Sequence, residues 1–139
     1  MSFTGRSGKK VDFQFSAGGV VVDGNKVLVI KTKNLQEEVV QTFPKGHIEK
    51  REKSEDSAVR EVEEETGYRC EIVSLLDNVQ YWFRDKGQLV KKTVKWFLMK
   101  PIEKIGEPDS EIISVEWLDK NEAKNVLSYK SDRELLKKI

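Results

Sequence analysis

The chain has 139 residues, which suits a single domain built around one hydrophobic core. Hydrophobic residues make up 37% of the chain and charged residues 35%, and no apolar run approaches the roughly 18 residues of a membrane span. The 25 basic and 24 acidic residues give a net charge of +1, which argues against a generic nucleic-acid binder.

The first half of the chain reads as strands and turns. Residues 1–10 are polar, contain glycine and show no periodicity, so we expect a loose N-terminus. They form no secretory signal, so the expected location is cytoplasmic. Strand patterns follow at 13–22, 26–30 and 39–43, and the turn signal Asp23-Gly24-Asn25 predicts that the first two form a hairpin.

An acidic helix is predicted from about Glu55 to Thr66, with Ser54 as its N-cap and Gly67 as the left-handed residue that ends it. One arc of this helix is apolar, and the neighbouring arc carries the carboxylates of Glu61, Glu64 and Glu65. Carboxylates at these spacings repel each other by about 0.2–0.5 kcal/mol per pair unless a cation joins them. The pattern therefore fits either a metal site or the solvated face of a surface helix.

The spacing of the fixed residues favours the metal site. Gly46 is followed after five residues by Glu52 and, after seven more, by Arg60-Glu61-Val62-Glu63-Glu64-Glu65-Thr66-Gly67-Tyr68. This stretch resembles the Nudix hydrolase signature, G-x5-E-x7-R-E-U-x-E-E-x-G-U, and departs from it only at Tyr68, where the family usually has an aliphatic residue. The resemblance implies a single Nudix hydrolase domain over residues 1–139. It implies an α/β (α+β) fold, the Nudix-type α/β/α sandwich with a central mixed sheet.

The resemblance also implies a metal cofactor, Mg²⁺ or Mn²⁺, held by glutamate oxygens. It assigns Glu61 and Glu65 as the principal metal-binding pair and Glu64 as a metal ligand or the general base. Glu52 is a further carboxylate for the metal site. Arg60 orients these acids through ion pairs.

The loop Phe43-Pro44-Lys45-Gly46-His47 carries a narrower resemblance, to Nudix enzymes that hydrolyse dinucleoside polyphosphates such as diadenosine tetraphosphate. In those relatives the residues matching Lys45 and His47 lie beside the phosphate chain; the alternative for His47 is an exposed loop residue. We expect Gly46 to adopt a backbone geometry barred to other residues, which brings the carbonyl of Lys45 toward the metal. Lys50-Arg51 replaces the Pro-Gly turn frequent in the family.

The second half of the chain predicts four strands and two helices, at 69–76, 79–83, 90–99 and 112–118 for the strands and at 120–127 and 132–138 for the helices. Capping boxes are predicted at Asp119 with Glu122 and at Ser131 with Glu134. Residues 95–99 resemble the matching strand of the dinucleoside polyphosphate hydrolases.

Three further features bear on the site. Tyr81 is a candidate substrate contact within the cluster Tyr81-Trp82-Phe83, although core packing is expected for at least two of the three. Cys70, the sole cysteine, is expected to be a buried strand thiol rather than a nucleophile. Glu111 resembles the additional glutamate that many family members bring to the metal, with Glu107 and Glu116 as nearby alternatives.

The resemblance implies a metal-dependent hydrolase in which a glutamate and the metal activate a water that attacks phosphorus. The first expectation is a dinucleoside polyphosphate substrate. The alternatives are a nucleoside triphosphate pyrophosphatase, an RNA 5′-pyrophosphohydrolase, a diphosphoinositol polyphosphate phosphatase and, in another class, a non-catalytic Nudix-like binding module. The expected partner is a small-molecule nucleotide, with no membrane. The sequence leaves open the polyphosphate length, the base, the physiological metal, the identity of the general base, and whether the protein is a monomer or a homodimer.

Overall fold

The computed structural model describes residues 2–4 and 10–139, which form eight strands and three helices. The strands are β1 (Ser2–Thr4), β2 (Lys10–Asp23), β3 (Lys26–Lys33), β4 (Val39–Thr42), β5 (Lys45–His47), β6 (Tyr68–Asp85), β7 (Gln88–Lys104) and β8 (Ser114–Asp119). The helices are α1 (Ser54–Thr66), α2 (Lys120–Val126) and α3 (Lys130–Leu136). None of the helices in the described part of the chain has the length and hydropathy that a membrane crossing requires.

The strands form one mixed sheet. β4, β3, β2, β7 and β6 lie side by side in that order, while β1 and β5 pair with β2, and β8 pairs with β3. β2 and β7 run parallel, from Val11 opposite Leu89 to Val21 opposite Met99. The other pairs are antiparallel, including the predicted hairpin of β2 and β3. The mixed central sheet expected from the sequence is confirmed.

Helices cover both faces of this sheet. Successive residues of β7 point to opposite sides of the sheet. Phe97 and Met99 pack in one cluster with apolar residues of α1. Val94 and Trp96 pack in the other cluster with residues of α2 and α3 and the segment between them, namely Ala123, Leu127, Leu135 and Leu136. The α/β/α layering is therefore the one that the sequence predicted.

Helix α1 ends as predicted but begins differently. Gly67 has φ 80°, and its N–H donates to the carbonyl of Glu63 at 2.8 Å. The expectation that Ser54 is the N-cap is wrong, because the N-cap is Lys53 and the Ser54 hydroxyl donates to Glu55 Oε1 at 2.7 Å. A hydroxyl bonded to a neighbouring carboxylate leaves the backbone amides of the first turn without a side-chain cap.

Helix α3 also begins at a different N-cap from the predicted one, whereas α2 begins as predicted. The N-cap of α3 is Tyr129, without a side-chain cap, so the box predicted at Ser131 does not form. At α2, Asp119 donates its N–H to Glu122 Oε1 at 3.3 Å.

Strand β6 is one strand where the sequence predicted two. It pairs with β7 from Tyr68 to Asp85, with register shifts between Arg69 and Cys70, Ile72 and Ser74, and Leu75 and Asp77. The second and third shifts each insert a residue in β6 and change its alternation of inward and outward side chains, whereas the first inserts a residue in β7. The sequence pattern is therefore interrupted although the hydrogen-bonded ladder is not.

Two short strands were not predicted. Residues 1–10 were expected to be loose, but Ser2–Thr4 pairs with the start of β2, from Ser2 opposite Asp12 to Thr4 opposite Lys10. This pairing uses backbone groups, which need no apolar pattern. Residues 1 and 5–9 of that expectation lie outside the described residues. The predicted loop at 45–47 is strand β5, paired with residues 16–18 of β2.

Candidate active site

Arg60 lies at the centre of a group of carboxylates from α1 and the loop before it. Its guanidinium donates to Glu52 from Nε to Oε2 at 2.8 Å and from Nη2 to Oε1 at 2.9 Å. Nη1 donates to Glu61 Oε1 at 2.8 Å and to the two oxygens of Glu64 at 3.1 and 3.2 Å. One guanidinium therefore joins three of the four glutamates that the signature assigns to the site.

The bidentate ion pair with Arg60 keeps the carboxylate of Glu52 ionised. Hydrogen bonds from Arg60 hold the pKa of Glu52 at about 2, and the same contact raises the pKa of Arg60. Arg60 Nη2 also donates to the carbonyl of His47 at 3.2 Å, and the amide of Glu49 donates to Glu52 Oε1 at 3.0 Å. Glu52 is thus an ionised anchor that holds the loop 47–52 against α1.

Glu61 and Glu65 lie one turn apart on the side of α1 that faces β5. Glu65 Oε1 accepts the backbone N–H of Lys45 at 2.7 Å. Burial raises the pKa of Glu65 to about 8, and it also raises the pKa of Glu61. The negative charge of Asp109 adds to both effects. These two carboxyl groups are therefore the ones that a bound cation would stabilise most in their ionised form.

Gly46 is required by space and not by an unusual backbone conformation. It lies in β5 opposite Ala17 and is not among the described glycines with positive φ. A β-carbon at position 46 would lie 2.0 Å from both Cδ and Oε2 of Glu61. The expectation of a barred backbone geometry is therefore wrong. Glycine is needed at position 46 because the Glu61 carboxylate occupies the space that a β-carbon would fill.

The turn before Glu52 forms without the Pro-Gly pair. Arg51 has φ 68°, in the left-handed region, and the N–H of Glu52 donates to the carbonyl of Glu49 at 3.0 Å. A left-handed residue other than glycine costs about 1–2 kcal/mol. Arg51 bears this strain in a turn that delivers Glu52 to Arg60.

The residue types fit a hard divalent cation, but Arg60 shares the carboxylates. Glutamate oxygens are the ligands that Mg²⁺ and Mn²⁺ prefer. Among the described residues, no three side chains of His, Cys, Asp or Glu are arranged to hold a metal ion together. The oxygens of Glu52, Glu61 and Glu64 are directed at the guanidinium instead. A metal bound by Glu61 and Glu64 would therefore share these two side chains with Arg60.

Asp109, which the sequence did not single out, comes from outside the signature and approaches the carboxylates. Its backbone N–H donates to the carbonyl of Glu64 at 2.9 Å. Burial raises the pKa of Asp109, with further contributions from the charges of Glu111 and Glu64. No sequence signal marks Asp109, because its approach depends on the loop after β7 running back along α1.

The side chain of Glu111 is exposed, and its carbonyl accepts a hydrogen bond from Thr32 Oγ1 at 3.3 Å. The role predicted for Glu111 stays a prediction, with Asp109 as a second candidate for the same role.

A cavity of about 610 Å³ lies on the face of the sheet that α2 and α3 cover, next to the carboxylates of α1. Lys92, Val94 and Trp96, alternate residues of β7, line it together with Lys45 of β5. Its volume lies in the range of about 300–1,000 Å³ that is usual for small-molecule sites. Lys45 belongs to both regions, because its side chain lines the cavity and its amide is bonded to Glu65.

Lys92 is a second cation in this cavity that sequence reasoning missed. Burial lowers the pKa of Lys92 to about 8, and the charge of Lys45 lowers it further while Glu65 opposes the shift. Lys91 and Lys92 look alike in the sequence, and only the strand register places one of them inside. His47 is exposed on one side only, and its partial desolvation, followed by the charges of Lys92 and Lys45, lowers its pKa. His47 is therefore uncharged at neutral pH.

The aromatic cluster of β6 divides between the two faces of the sheet. Tyr81 and Phe83 line the cavity, with ring centroids 5.9 Å apart. Trp82 is 56% exposed, and Lys91 Nζ lies 5.5 Å from the centroid of its ring. Tyr81 is 37% exposed, so the expectation that at least two of the three residues pack in the core is wrong. The physical reason is that this part of β6 borders a cavity on one side and solvent on the other.

The prediction that Cys70 is a buried strand thiol is confirmed. Its thiol is buried and unpaired, and burial raises its pKa to about 12. A thiol held in this protonated form is a poor nucleophile.

Comparison with known proteins identifies the domain. The family described as NUDIX domain matches residues 12–139. A protein named as the mutator protein MutT4 of Mycobacterium tuberculosis is 35% identical over 128 residues, which cover 86% of this chain and 52% of that protein. An RNA pyrophosphohydrolase of Psychromonas ingrahamii is 33% identical over 84 residues, covering 60% of this chain and 45% of that protein. The chain thus spans about half the length of the curated relatives it matches.

Solved structures share the fold. A NUDIX hydrolase from Nitrosomonas europaea superposes with a TM-score of 0.76 at 17% identity, covering 90% of this chain and 86% of that one. An Ap4A hydrolase from C. elegans superposes with a TM-score of 0.69 at 23% identity, covering 90% and 93%. At these identities the likeness concerns the fold alone.

Proposed function

Since the chain belongs to the Nudix domain family, we propose that it is a metal-dependent hydrolase of nucleoside diphosphate-linked compounds, with dinucleoside polyphosphates as its leading substrates. The observation that carries the proposal is the position of Lys45, which contacts the carboxylates through its amide and the cavity through its side chain. A nucleotide with its base in the cavity would extend its phosphates along Lys45 toward Glu61 and Glu65.

The glutamates of α1 are the proposed metal ligands. Glu61 and Glu65 would be the principal ligands of Mg²⁺ or Mn²⁺, and Glu64 would be a further ligand or the general base. Glu52 and the backbone carbonyl of Lys45 would supply further oxygen donors. Such an ion, when bound, polarises phosphoryl oxygens and lowers the pKa of a coordinated water.

Two further side chains of α1 have proposed roles, Arg60 in positioning the carboxylates and Glu64 in proton transfer. Arg60 orients Glu52, Glu61 and Glu64 through its hydrogen bonds. The side chain of Glu64 is 42% exposed, against 14% for Glu61. A water approaching from solvent therefore reaches Glu64 first, which supports Glu64 as the group that takes the proton of the attacking water.

The lysines supply the affinity for phosphate. Lys45 and Lys92 line one cavity, and the charge of Lys45 contributes to the lowered pKa of Lys92. Two cations held this close repel each other, and a phosphate chain between them removes the repulsion. His47, which is uncharged at neutral pH, would add a hydrogen bond rather than a charge.

A second candidate function is an RNA 5′-pyrophosphohydrolase, because two relatives carry the name RNA pyrophosphohydrolase. It would use the same glutamates, as would a nucleoside triphosphate pyrophosphatase or a diphosphoinositol polyphosphate phosphatase. A binding module without activity would not need the complete set of acids. Retention of Glu52, Glu61, Glu64 and Glu65 around Arg60 therefore favours a hydrolase.

The experiment is a substrate panel with Mg²⁺ and Mn²⁺. Diadenosine tetraphosphate, ATP, ADP-ribose, 5′-triphosphorylated RNA and a diphosphoinositol polyphosphate are incubated with the protein, and the products are identified by chromatography. We expect metal-dependent cleavage, fastest on the dinucleoside polyphosphate. Activity confined to RNA would favour the second candidate, and inactivity on every compound would favour the binding module.

A matched pair of variants tests the metal ligands. We expect Glu61→Gln and Glu65→Gln to lower turnover by about 100-fold or more at saturating metal, since each removes one charge from the site. Glu71→Gln, an exposed acid of β6, is the control and should keep wild-type turnover. Near-normal turnover in either site variant would refute the role proposed for that glutamate.

We further propose that residues 1–139 act as one domain in the cytoplasm on a small-molecule nucleotide. The near-balanced charge supports a protein with no general affinity for nucleic acid or membrane surfaces. Fractionation of cells that produce the tagged protein tests the location.

A further inference from the structure

The inner wall of the cavity carries a carboxylate that the proposed reaction does not use. Asp132 of α3 lines the cavity and is only 3% exposed. Thr42 Oγ1 donates to Asp132 Oδ2 at 2.5 Å, and the backbone amide of Phe43 donates to the same carboxylate. These contacts hold the carboxyl group in one orientation at the end of β4.

Asp132 lacks a cationic partner at ion-pair distance among the described residues. Burial raises the pKa of Asp132, and the hydrogen bond from Thr42 and the charges of Lys45 and Arg133 oppose this shift. Arg133 Nη1 itself donates to the carbonyl of Leu127 at 2.7 Å. A carboxylate can accept about four hydrogen bonds, and a buried one is costly unless donors surround it. With two donors in place, Asp132 retains acceptor positions for a ligand.

The surroundings of Asp132 suit a flat, aromatic ligand. Tyr81, Phe83 and Trp96 line the same cavity. Burial raises the pKa of Tyr81, and the charge of Asp132, which lines the same cavity, adds to this effect. On another wall, Asn34 Nδ2 donates to the hydroxyl of Tyr129 at 3.4 Å. A base stacked among these rings would present its edge to a group that only accepts hydrogen bonds.

We propose that Asp132 reads the nucleobase of the substrate and selects guanine. The edge of guanine offers N1–H and N2–H side by side, so that both can donate to one carboxylate in the manner of an arginine. The same edge of adenine offers one amino group beside an acceptor nitrogen, and that of hypoxanthine offers one N–H. The inference rests on the proposed function and extends it by naming the base.

The test compares guanine with hypoxanthine, which differ by a single amino group. We measure kcat/KM for the tetraphosphates of two guanosines and of two inosines, and the Kd of GDP and IDP by calorimetry with Mg²⁺. For wild type we expect guanine to be favoured about 10- to 100-fold, the range for a hydrogen bond to a charged group. A preference below about threefold would overturn the assignment of guanine.

Variants separate reading of the base from support of the fold. Asp132→Asn keeps the shape, and it should reduce the guanine preference to about threefold or less because it replaces one acceptor with a donor. Glu134→Gln, in the same helix but exposed, should keep the wild-type preference. Thr42→Val removes a donor that orients Asp132 but leaves the carboxylate, so it should lower Tm and retain more of the guanine preference than Asp132→Asn does.

The preference is a ratio, so it does not depend on how much of a variant is folded. An unchanged ratio in Asp132→Asn would reduce Asp132 to a structural link between α3 and β4. If Asp132→Asn cannot be produced folded, the wild-type preference alone decides. Failure of the proposed function is a separate result, because the two diphosphates report on the base even when no substrate is cleaved. Absence of GDP binding would overturn the inference.

Discussion

Replacing Gly46 by alanine tests the geometry of the site with a single methyl group. In this structure a β-carbon at position 46 would lie 2.0 Å from Cδ and Oε2 of Glu61, whereas ordinary contacts begin at 3.4 Å. The Glu61 carboxylate must therefore retreat by about 1.4 Å, or β5 must move away from α1 by a similar distance. Either movement displaces a proposed metal ligand.

The size of the effect follows from this displacement. A misplacement of about 1 Å in a reacting constellation costs about 100-fold in rate, which corresponds to about 2.7 kcal/mol. We expect Gly46→Ala to lower kcat/KM by at least this factor. Overpacking should also lower the free energy of unfolding by about 1–3 kcal/mol, which leaves a protein of ordinary stability folded at 25 °C.

The assay measures kcat/KM on diadenosine tetraphosphate at saturating Mg²⁺, with circular dichroism as the check of folding. Gly106→Ala is the matched control, because a β-carbon there meets no atom within 4 Å and its φ lies outside the left-handed region. Gly106→Ala should therefore keep wild-type activity. When Gly46→Ala is added to Glu61→Gln, the further decrease in kcat/KM should be less than about threefold, since both changes act on the same carboxylate.

Two results would refute this reasoning. Gly46→Ala with kcat/KM within threefold of wild type would mean that Glu61 can move without loss. Full additivity with Glu61→Gln would mean that the methyl group acts elsewhere, for example on the strand pairing of β5.

Four further changes have expected outcomes. Lys45→Ala should lower kcat/KM on diadenosine tetra- to hexaphosphate by a factor that corresponds to roughly 1–3 kcal/mol of lost transition-state stabilisation. The loss should be smaller on ATP or ADP-ribose, since longer chains leave more phosphate charge unpaired. Equal losses on long and short substrates would mean that Lys45 only supports its strand. His47→Ala should act in the same direction but less, because burial and two lysines lower the pKa of His47 and leave it uncharged at neutral pH. The folded pKa of Cys70, about 12, lies above that of an unfolded thiol, so stability should be full below about pH 9 and fall as pH rises toward 12. Denaturant unfolding should show about 1–2 kcal/mol of this loss at pH 10, and Cys70→Ala should not show it; an equal loss in both proteins would contradict the prediction. Lys86 has φ 51° in the turn before Gly87, so Lys86→Asn should stabilise the protein by about 0.5–1 kcal/mol without changing activity, and an unchanged Tm would contradict this.

The parts of the fold that the sequence predicted are those specified by local signals. Gly67 ends α1 because a left-handed residue is needed there, and glycine adopts that conformation without steric cost. The turn at residues 23–25 and the box of Asp119 with Glu122 are similarly local. The misplaced caps at Ser54 and Ser131 show the limit of such signals, since a serine hydroxyl has several neighbouring partners and sequence alone does not choose among them.

Long-range pairing decided the rest. β2 and β7 are parallel neighbours although Val11 and Leu89 are far apart in the chain, and no local pattern specifies this register. The register determines that Lys92 lines the cavity while Lys91 lies against Trp82. Asp132 reaches the same cavity from the last helix. The candidate site therefore combines a helix that its signature reveals with side chains that only the tertiary structure brings to it.

The two ends of the acidic cluster differ in a way that bears on where a cation binds. Glu52 accepts two hydrogen bonds from Arg60, and its pKa of about 2 means that its charge is already compensated. Glu65 accepts only a backbone amide, and burial raises its pKa to about 8. A divalent cation gains most where ionised oxygens are least compensated, because the cation then supplies what burial has removed. The expected position of the metal is therefore the Glu65 end of the cluster, beside Lys45 and the mouth of the cavity. Glu61 lies between the two ends and is shared with Arg60, which keeps Glu52 fixed at the other end.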